Sequence, residues 1–275
     1  MFIKATKQQL KLRLLIEGAS GSGKTFSALQ LAKGLGGKVA VIDTERGSAS
    51  LYSDKFDFDV CELDYYSPEK YIEAIKYAQQ DYDVIIIDSI THEWSGEGGI
   101  LDIHRQLGGQ FNDWSKVTPK HNAFINAILA SNAHIICTAR TKSDYVIEQV
   151  TNRRGKSVNA PTKVGLKSEQ RDGLDYEFTI VFRVNQQHLA ESTKDRTGIF
   201  SDFHEVLKEE HAVKISNWLN DGVTADEYSK QQQEQLVQIA VTYLTNCTPE
   251  KRPEALAKAI GKYGDRPEFE QFKTQ

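Results

Sequence analysis

Leu12-Arg-Leu-Leu-Ile-Glu17 runs without interruption into Gly18-Ala-Ser-Gly-Ser-Gly-Lys-Thr25, and the reading of this stretch decides the fold. The first six residues form a short apolar strand. The next eight fit Gly-x-x-x-x-Gly-Lys-Thr, the phosphate-cradling pattern of a P-loop. Glycines at Gly18, Gly21 and Gly23 let the backbone wrap closely around phosphate oxygens. Successive N–H groups, together with those of Ala19, Ser20 and Ser22, then face the anion. Lys24 would neutralise the β- and γ-phosphates, and the Thr25 hydroxyl would ligate Mg²⁺. Phe26 completes the set of candidate nucleotide contacts, and in the helix that follows Ala28, Ala32 and Leu35 recur at helical spacing until Gly36-Gly37 stops it. Strand, glycine loop and helix make one βα unit.

Outward from that unit the alternation repeats. Lys38–Asp43 and Val60–Leu63 read as strands, and Ser67-Pro68 is a cap followed by a first-turn proline that opens a helix running to Gln80. Asp83-Val-Ile-Ile-Ile-Asp88 is a β-branched buried strand. Thr118-Pro119 opens another helix to Ala130, and His134–Thr138 is the next strand. Such repetition predicts a mostly parallel sheet with helices on both faces. After Thr138, strands at Tyr145–Gln149, Tyr176–Val184 and His188–Glu191 are linked by polar loops and predict antiparallel additions at the sheet edge. Beyond Gly222, stretches through Leu236, Ile239 and Tyr243, and through Leu256, Ala259 and Tyr263, are amphipathic helices. The expected organisation is an α/β core over residues 1–220 and a helical tail over 221–275.

A nucleotide-hydrolysing site of this kind needs an acidic strand end to hold the Mg²⁺ water shell, and Asp88 supplies it at the carboxyl edge of the sheet. It also needs a group that orients or deprotonates water. Glu45, in Asp43-Thr-Glu-Arg-Gly47, follows the second strand at that edge and is the candidate base, with Asp43 and Glu93 as alternatives.

The 275 residues are 39% hydrophobic and 26% charged, which excludes disorder as the main theme. No apolar run exceeds four residues, the length of Val84–Ile87, far short of the ~20 residues of a membrane helix. The amino terminus lacks the apolar core of a secretory signal, so a cytoplasmic location is expected. Cys61, Cys137 and Cys247 are widely spaced and show no zinc pattern; they read as reduced core thiols. A net charge of -4 leaves any nucleic-acid contact to a local basic patch.

Gly18–Thr25, Val39–Glu45 and Val84–Ser89, in that order and spacing, resemble the RecA-like recombinase-core ATPases, and most closely the phage proteins of AAA type related to single-strand annealing proteins. Ser89–Trp94, His134–Arg140, Lys167–Glu177 and Lys194–Gly198 look like the phage group specifically. The likeness covers roughly residues 10–220 and implies ATP and Mg²⁺ as ligands. It implies a water-activating glutamate after the second strand, which supports Glu45, and a γ-phosphate sensor at Arg140, where recombinases commonly carry glutamine. Lys194-x-Arg196 is similar to the Lys-x-Arg finger that reaches a neighbouring subunit's nucleotide, which implies a homo-oligomer, ring or filament. The alternative for Lys194, Asp195 and Arg196 is a solvated charged turn.

From Arg140 to Arg171 eight basic residues face three acidic ones, a local excess of five. A basic loop after the sensor strand is where recombinase cores bind DNA, and Arg153, Arg154, Lys156 and Lys163 are its candidate phosphate contacts. The competing reading is a solvated charged face. Trp94 and Trp114, beside the glycine-rich stretch Gly96–Gly109, are either stacking platforms or core and interface residues. The first functional reading is an ATP-hydrolysing factor of DNA recombination or annealing that assembles on single-stranded DNA. The second is a nucleotide-switched scaffold for a protein partner of replication or host defence, with little turnover. A small-molecule kinase is a weaker third, because no lid or acceptor motif follows the P-loop.

Overall fold

The computed structural model describes residues 2–151 and 157–273, by the backbone alone for those between 144 and 165. It divides into two compact units, 11–218 and 1–10 with 219–275.

In the larger unit the strands β1 (Arg13–Gly18), β2 (Val39–Asp43), β3 (Asp59–Glu62), β4 (Val84–Asp88), β5 (His134–Thr151) and β7 (Ile180–Val184) run parallel in the order β3-β2-β4-β5-β1-β7. The antiparallel β8 (Ala190–Asp195) and β9 (His204–Glu205) extend the sheet beyond β7, and β6 (Ser157–Ser168) pairs antiparallel with the outer half of β5. The class is α/β with a mostly parallel central sheet and antiparallel edge strands, as the alternating pattern predicts.

Both faces of the sheet are covered, which is why Val84–Ile87 carries four apolar residues in a row, all fully buried. Alternate side chains, including Leu15, Ile85, Ile87, Ile135 and Cys137, pack under α2 (Pro68–Ala78) and α5 (Trp114–Ala130), against Tyr71, Ile75, Phe124 and Ile128. The helix α1 (Lys24–Leu35) buries Ala28, Leu29, Leu31 and Ala32 and packs on β1, β4 and β5. Each buried aliphatic side chain contributes about 1.5–3 kcal/mol, so this interior fixes the register that places the strand ends. That register sets Gly18 beside Arg140 and Val184, and Asp43 beside Asp88.

Three local expectations are corrected. The helix expected from Thr118 begins at Trp114, because it continues directly from a 3-10 turn at Phe111–Asp113 that a capping box of Gln110 and Asp113 opens, and Pro119 lies inside it. The strand expected to end at Thr138 continues to Thr151, where β6 supplies the pairing partner, so the basic segment is a two-stranded ribbon rather than a loop over its described residues. Cys61 is exposed on the edge strand β3, whereas Cys137 is buried and Cys247 partly so. The short helices α3 (Thr91–Ser95) and α4 (Ile100–Gln106), and α6 (Glu209–Asn220), carry too little local signal to have been anticipated.

The smaller unit holds α7 (Ala225–Asn246) and α8 (Arg252–Tyr263), packed through Val237, Leu244, Leu256, Ala259, Phe269 and Phe272. Thr224 and Glu227 cap α7 reciprocally, and Gln8 bridges to Val223. Among the described residues no helix is long and apolar enough to cross a membrane.

Candidate active site

The loop between β1 and α1 closes on itself because two positions admit only glycine. A Cβ on Gly18 would lie 2.5 Å from the Val184 carbonyl oxygen and 2.6 Å from Ser22 Oγ, and Gly23 holds a φ of 90°. Gly23 offers no side-chain cap and the first turn of α1 has no acidic residue, so the helix terminus leaves its N–H groups and positive dipole end available to an anion. Ser22 Oγ is buried and has no hydrogen-bond partner among the described residues. Lys24 Nζ donates to the Ala19 carbonyl at 2.9 Å. Burial lowers the Lys24 pKa, and the Asp88 and Glu45 carboxylates oppose the shift.

Asp88 ends β4 and is fully enclosed. Thr25 Oγ1 donates to its Oδ2 at 2.6 Å, and Thr138 Oγ1 to its Oδ1 at 2.5 Å, from the neighbouring strand β5. Burial pushes the Asp88 carboxyl above the usual range, against the pull of those two hydroxyl donors. A carboxylate taken out of water and met by two neutral hydroxyl donors is suited to a cation, and Thr25 with Asp88 has the chemistry to hold a Mg²⁺ that accompanies a nucleotide. Among the described residues no cluster of three or more His, Cys, Asp or Glu could hold a metal by itself. The residues therefore fit a metal that arrives with the nucleotide's own oxygens.

Asp43, one of the alternative bases, is occupied: its Oδ1 accepts from Glu45 N at 2.6 Å and its Oδ2 from Ala49 N at 3.1 Å. That turn presents Glu45. The other alternative, Glu93, is buried against His121 Nδ1 at 3.1 Å and Gln170 Nε2 at 3.2 Å and does not line the phosphate cavity. Arg140, at the level of Gly18 on β5, grips Glu45 with two parallel hydrogen bonds, Nε to Oε1 at 3.1 Å and Nη2 to Oε2. A cavity of about 530 Å³ gathers Gly23, Lys24, Thr25, Glu45, Asp88 and Arg140.

Four further contributors come from distant segments that no local pattern marks. Thr138 binds Asp88 as above. Tyr52 lines the cavity beside Phe26, their rings 5.7 Å apart, and offers an aromatic wall. From the β7–β8 turn, Gln186 Nε2 donates to the Ser20 carbonyl at 3.1 Å and His188 Nδ1 to the Ser22 carbonyl at 2.9 Å, so two side chains brace the phosphate loop. His188 does so from φ 64°, a left-handed conformation unusual for a residue with a Cβ.

Lys194 and Arg196 are not brought to this cavity within the chain. Lys194 Nζ donates to the carbonyls of Asp175 and Tyr176 at 2.8 and 2.6 Å, and Arg196 Nη2 to that of Tyr176 at 2.8 Å. Of the candidate DNA contacts, Arg153, Arg154 and Lys156 lie outside the described residues, as does the side chain of Lys163.

A family model described as an AAA domain matches residues 10–207. No curated protein matches the chain. Among solved structures, the crystal structure of the RadB recombinase is similar at 16% identity and a TM-score of 0.39, over 67% of this chain and 81% of that one.

Proposed function

The chain belongs to the AAA-domain family, and from that premise we propose that it is a RecA-like ATP hydrolase that acts with single-stranded DNA in phage-type recombination or strand annealing, as an assembly of its own copies. The observation that carries the ATPase reading is the convergence, in one cavity, of a bare helix terminus, Lys24, the Thr25–Asp88 pair and Glu45.

In this reading the loop N–H groups and Lys24 bind the triphosphate, Lys24 leaving the Ala19 carbonyl for the phosphate oxygens. Thr25 and Asp88 would hold Mg²⁺, which would supply charge neutralisation for the phosphates. Glu45 orients the attacking water and takes its proton, and the Asp43 turn holds the Glu45 backbone at the required edge. Arg140 keeps Glu45 engaged until a γ-phosphate competes for the guanidinium, which frees the base where ATP is bound. The excess of basic residues between Arg140 and Arg171 supports DNA as the polymer.

The test is the steady-state ATPase rate with and without single-stranded DNA at low and high salt. Lys24→Ala is expected to abolish turnover, and DNA to raise the wild-type rate in a salt-sensitive way. A wild-type protein that binds ATP without turning it over would sink the hydrolase reading. Turnover indifferent to DNA would sink the DNA part and favour a nucleotide-switched scaffold.

A further inference from the structure

A second cavity, of about 1,010 Å³, opens at the base of the β5–β6 ribbon. Three aromatic side chains line it: Trp94 of α3, Trp114 at the start of α5 and Phe111 just before it. Trp94 and Trp114 lie nearly parallel, 17° between planes with centroids 5.9 Å apart, and His104 stacks on Trp114 at 4.2 Å. Phe111 is 88% exposed at the rim. The arrangement is held from behind, where the buried Glu93–His121 pair sets the His121 ring edge-on to Trp94.

The opposite wall is cationic. Lys142 on β5 and Lys167 on β6 are direct cross-strand partners, and Arg171 follows the ribbon. Like charges facing each other across an antiparallel pair destabilise it, and an anion between them relieves the repulsion. Among the described residues of the lining, the carboxylate is that of Asp172, 3.6 Å from Lys167, so the wall carries three cations to one negative group.

Flat π faces beside a net-positive row of cations match one polymer: bases stack on the rings while phosphates meet the cations. The volume is at the upper end of the ~300–1,000 Å³ that enclose a small molecule, which suits a short run of chain passing through an open groove. We propose that this groove is the stacking site for single-stranded DNA, formed by Trp94, Phe111 and Trp114 with Lys142, Lys167 and Arg171. The proposal rests on the DNA reading above and gives it a location within the described residues.

The groove is also wired to the phosphate site. Lys142 stands two residues beyond Arg140 on the same strand, and Arg140 N donates to Thr91 Oγ1 at 2.9 Å on the short helix that carries Trp94. Gln170, in the groove wall, donates to the Ile90 carbonyl at 2.9 Å and to Glu93. DNA that orders this wall orders Arg140, which gives a physical route from DNA to hydrolysis.

The test is fluorescence anisotropy of a labelled oligo-dT of about twelve nucleotides, at about 50 and about 200 mM salt, with a fluorescent ATP analogue as the check that each variant is folded. Phe111→Ala should weaken oligo-dT binding about fivefold or more with an unchanged salt slope. Lys142→Ala with Lys167→Ala should weaken it and lower the slope by about 1.4, about 0.7 for each phosphate no longer neutralised. Oligo-dT should also quench the tryptophan emission. If the wild type binds oligo-dT and these variants bind it equally well, the groove is wrong and the DNA reading stands. If the wild type binds the ATP analogue but no oligo-dT at low salt, the DNA reading fails and the groove with it. A duplex bound as tightly as the single strand, without quenching, would overturn the stacking role.

Discussion

Glu45 and Arg140 face each other with side chains 24% and 41% exposed, so solvent screens their attraction. Exposed ion pairs typically contribute about 0–1 kcal/mol, and the two-pronged geometry places this one at the upper part of that range. On the proposed reading, a γ-phosphate with several negative oxygens would outbid a lone carboxylate for that guanidinium, and the weak pair would release Glu45 as the base on each cycle. Glu45→Gln should therefore leave ATP affinity within a few-fold of wild type and lower kcat by about 10²–10⁴. Arg140→Ala should lower kcat and erase the discrimination between ATP and ADP, read from the two dissociation constants. A Glu45→Gln protein that turns over within a few-fold of wild type would remove Glu45 from the role of base. The P-loop was readable residue by residue because its eight positions are consecutive and each has a separate duty. Asp43 and Glu93 were not separable from Glu45 on sequence, because what distinguishes them is where their oxygens point, and the partners that decide it lie up to 77 residues away in the Glu93–Gln170 hydrogen bond.

At the scale of elements, β5 links the buried sheet, the phosphate site and the ribbon. Its first residue, His134, accepts from Leu12 N through Nδ1 at 3.0 Å, a bond only an unprotonated nitrogen can make. Burial, with the Lys11 and Arg13 charges adding to it, lowers the His134 pKa from 6.5 to about 4. The unfolded chain takes up this proton first, so the bond's contribution is intact above pH 6.5 and is lost as pH falls from there towards about 4. His134→Asn keeps an acceptor without the titration. Its urea midpoint should fall less than that of the wild type between about pH 7 and about pH 4.5, and parallel falls would show that His134 does not govern the slope. The same strand shows where sequence reading stops. The apolar alternation of His134–Thr138 gives way to Arg-Thr-Lys-Ser, which carries no strand signal alone; β6 makes it a strand by pairing. The groove was illegible for a related reason: Trp94 and Lys167 meet only after the chain has threaded β5 between β4 and β1. The parallel sheet itself was legible because each β-branched run and each glycine or proline stop is local.

For the whole molecule, the decisive geometry is where β8 puts its cations. Asp195, between Lys194 and Arg196, pairs with Ile180 at the start of β7, and Ile180 stands beside Leu14, four residues of β1 before Gly18. At about 3.3 Å per residue, about 13 Å of strand separates that level from the phosphate loop, and the cations lie at the opposite edge of the sheet. Within one chain they cannot reach the nucleotide. They can do so only for another copy, by exchanging the Asp175 and Tyr176 carbonyls for phosphate oxygens. Arg196→Ala should then bind ATP normally and lose turnover by about 10³, as a cation supplied in trans does when removed. Lys24→Ala should be inactive for the complementary reason, since it would lack a competent P-loop but keep Arg196. Mixing the two inactive proteins should restore activity at junctions where an intact P-loop meets an intact Arg196, with a rate that climbs with total concentration. Arg196→Ala keeping full activity alone, or a mixture no more active than its parts at high concentration, would return Lys194 and Arg196 to the role of a solvated turn and leave the chain complete as a single-copy ATPase.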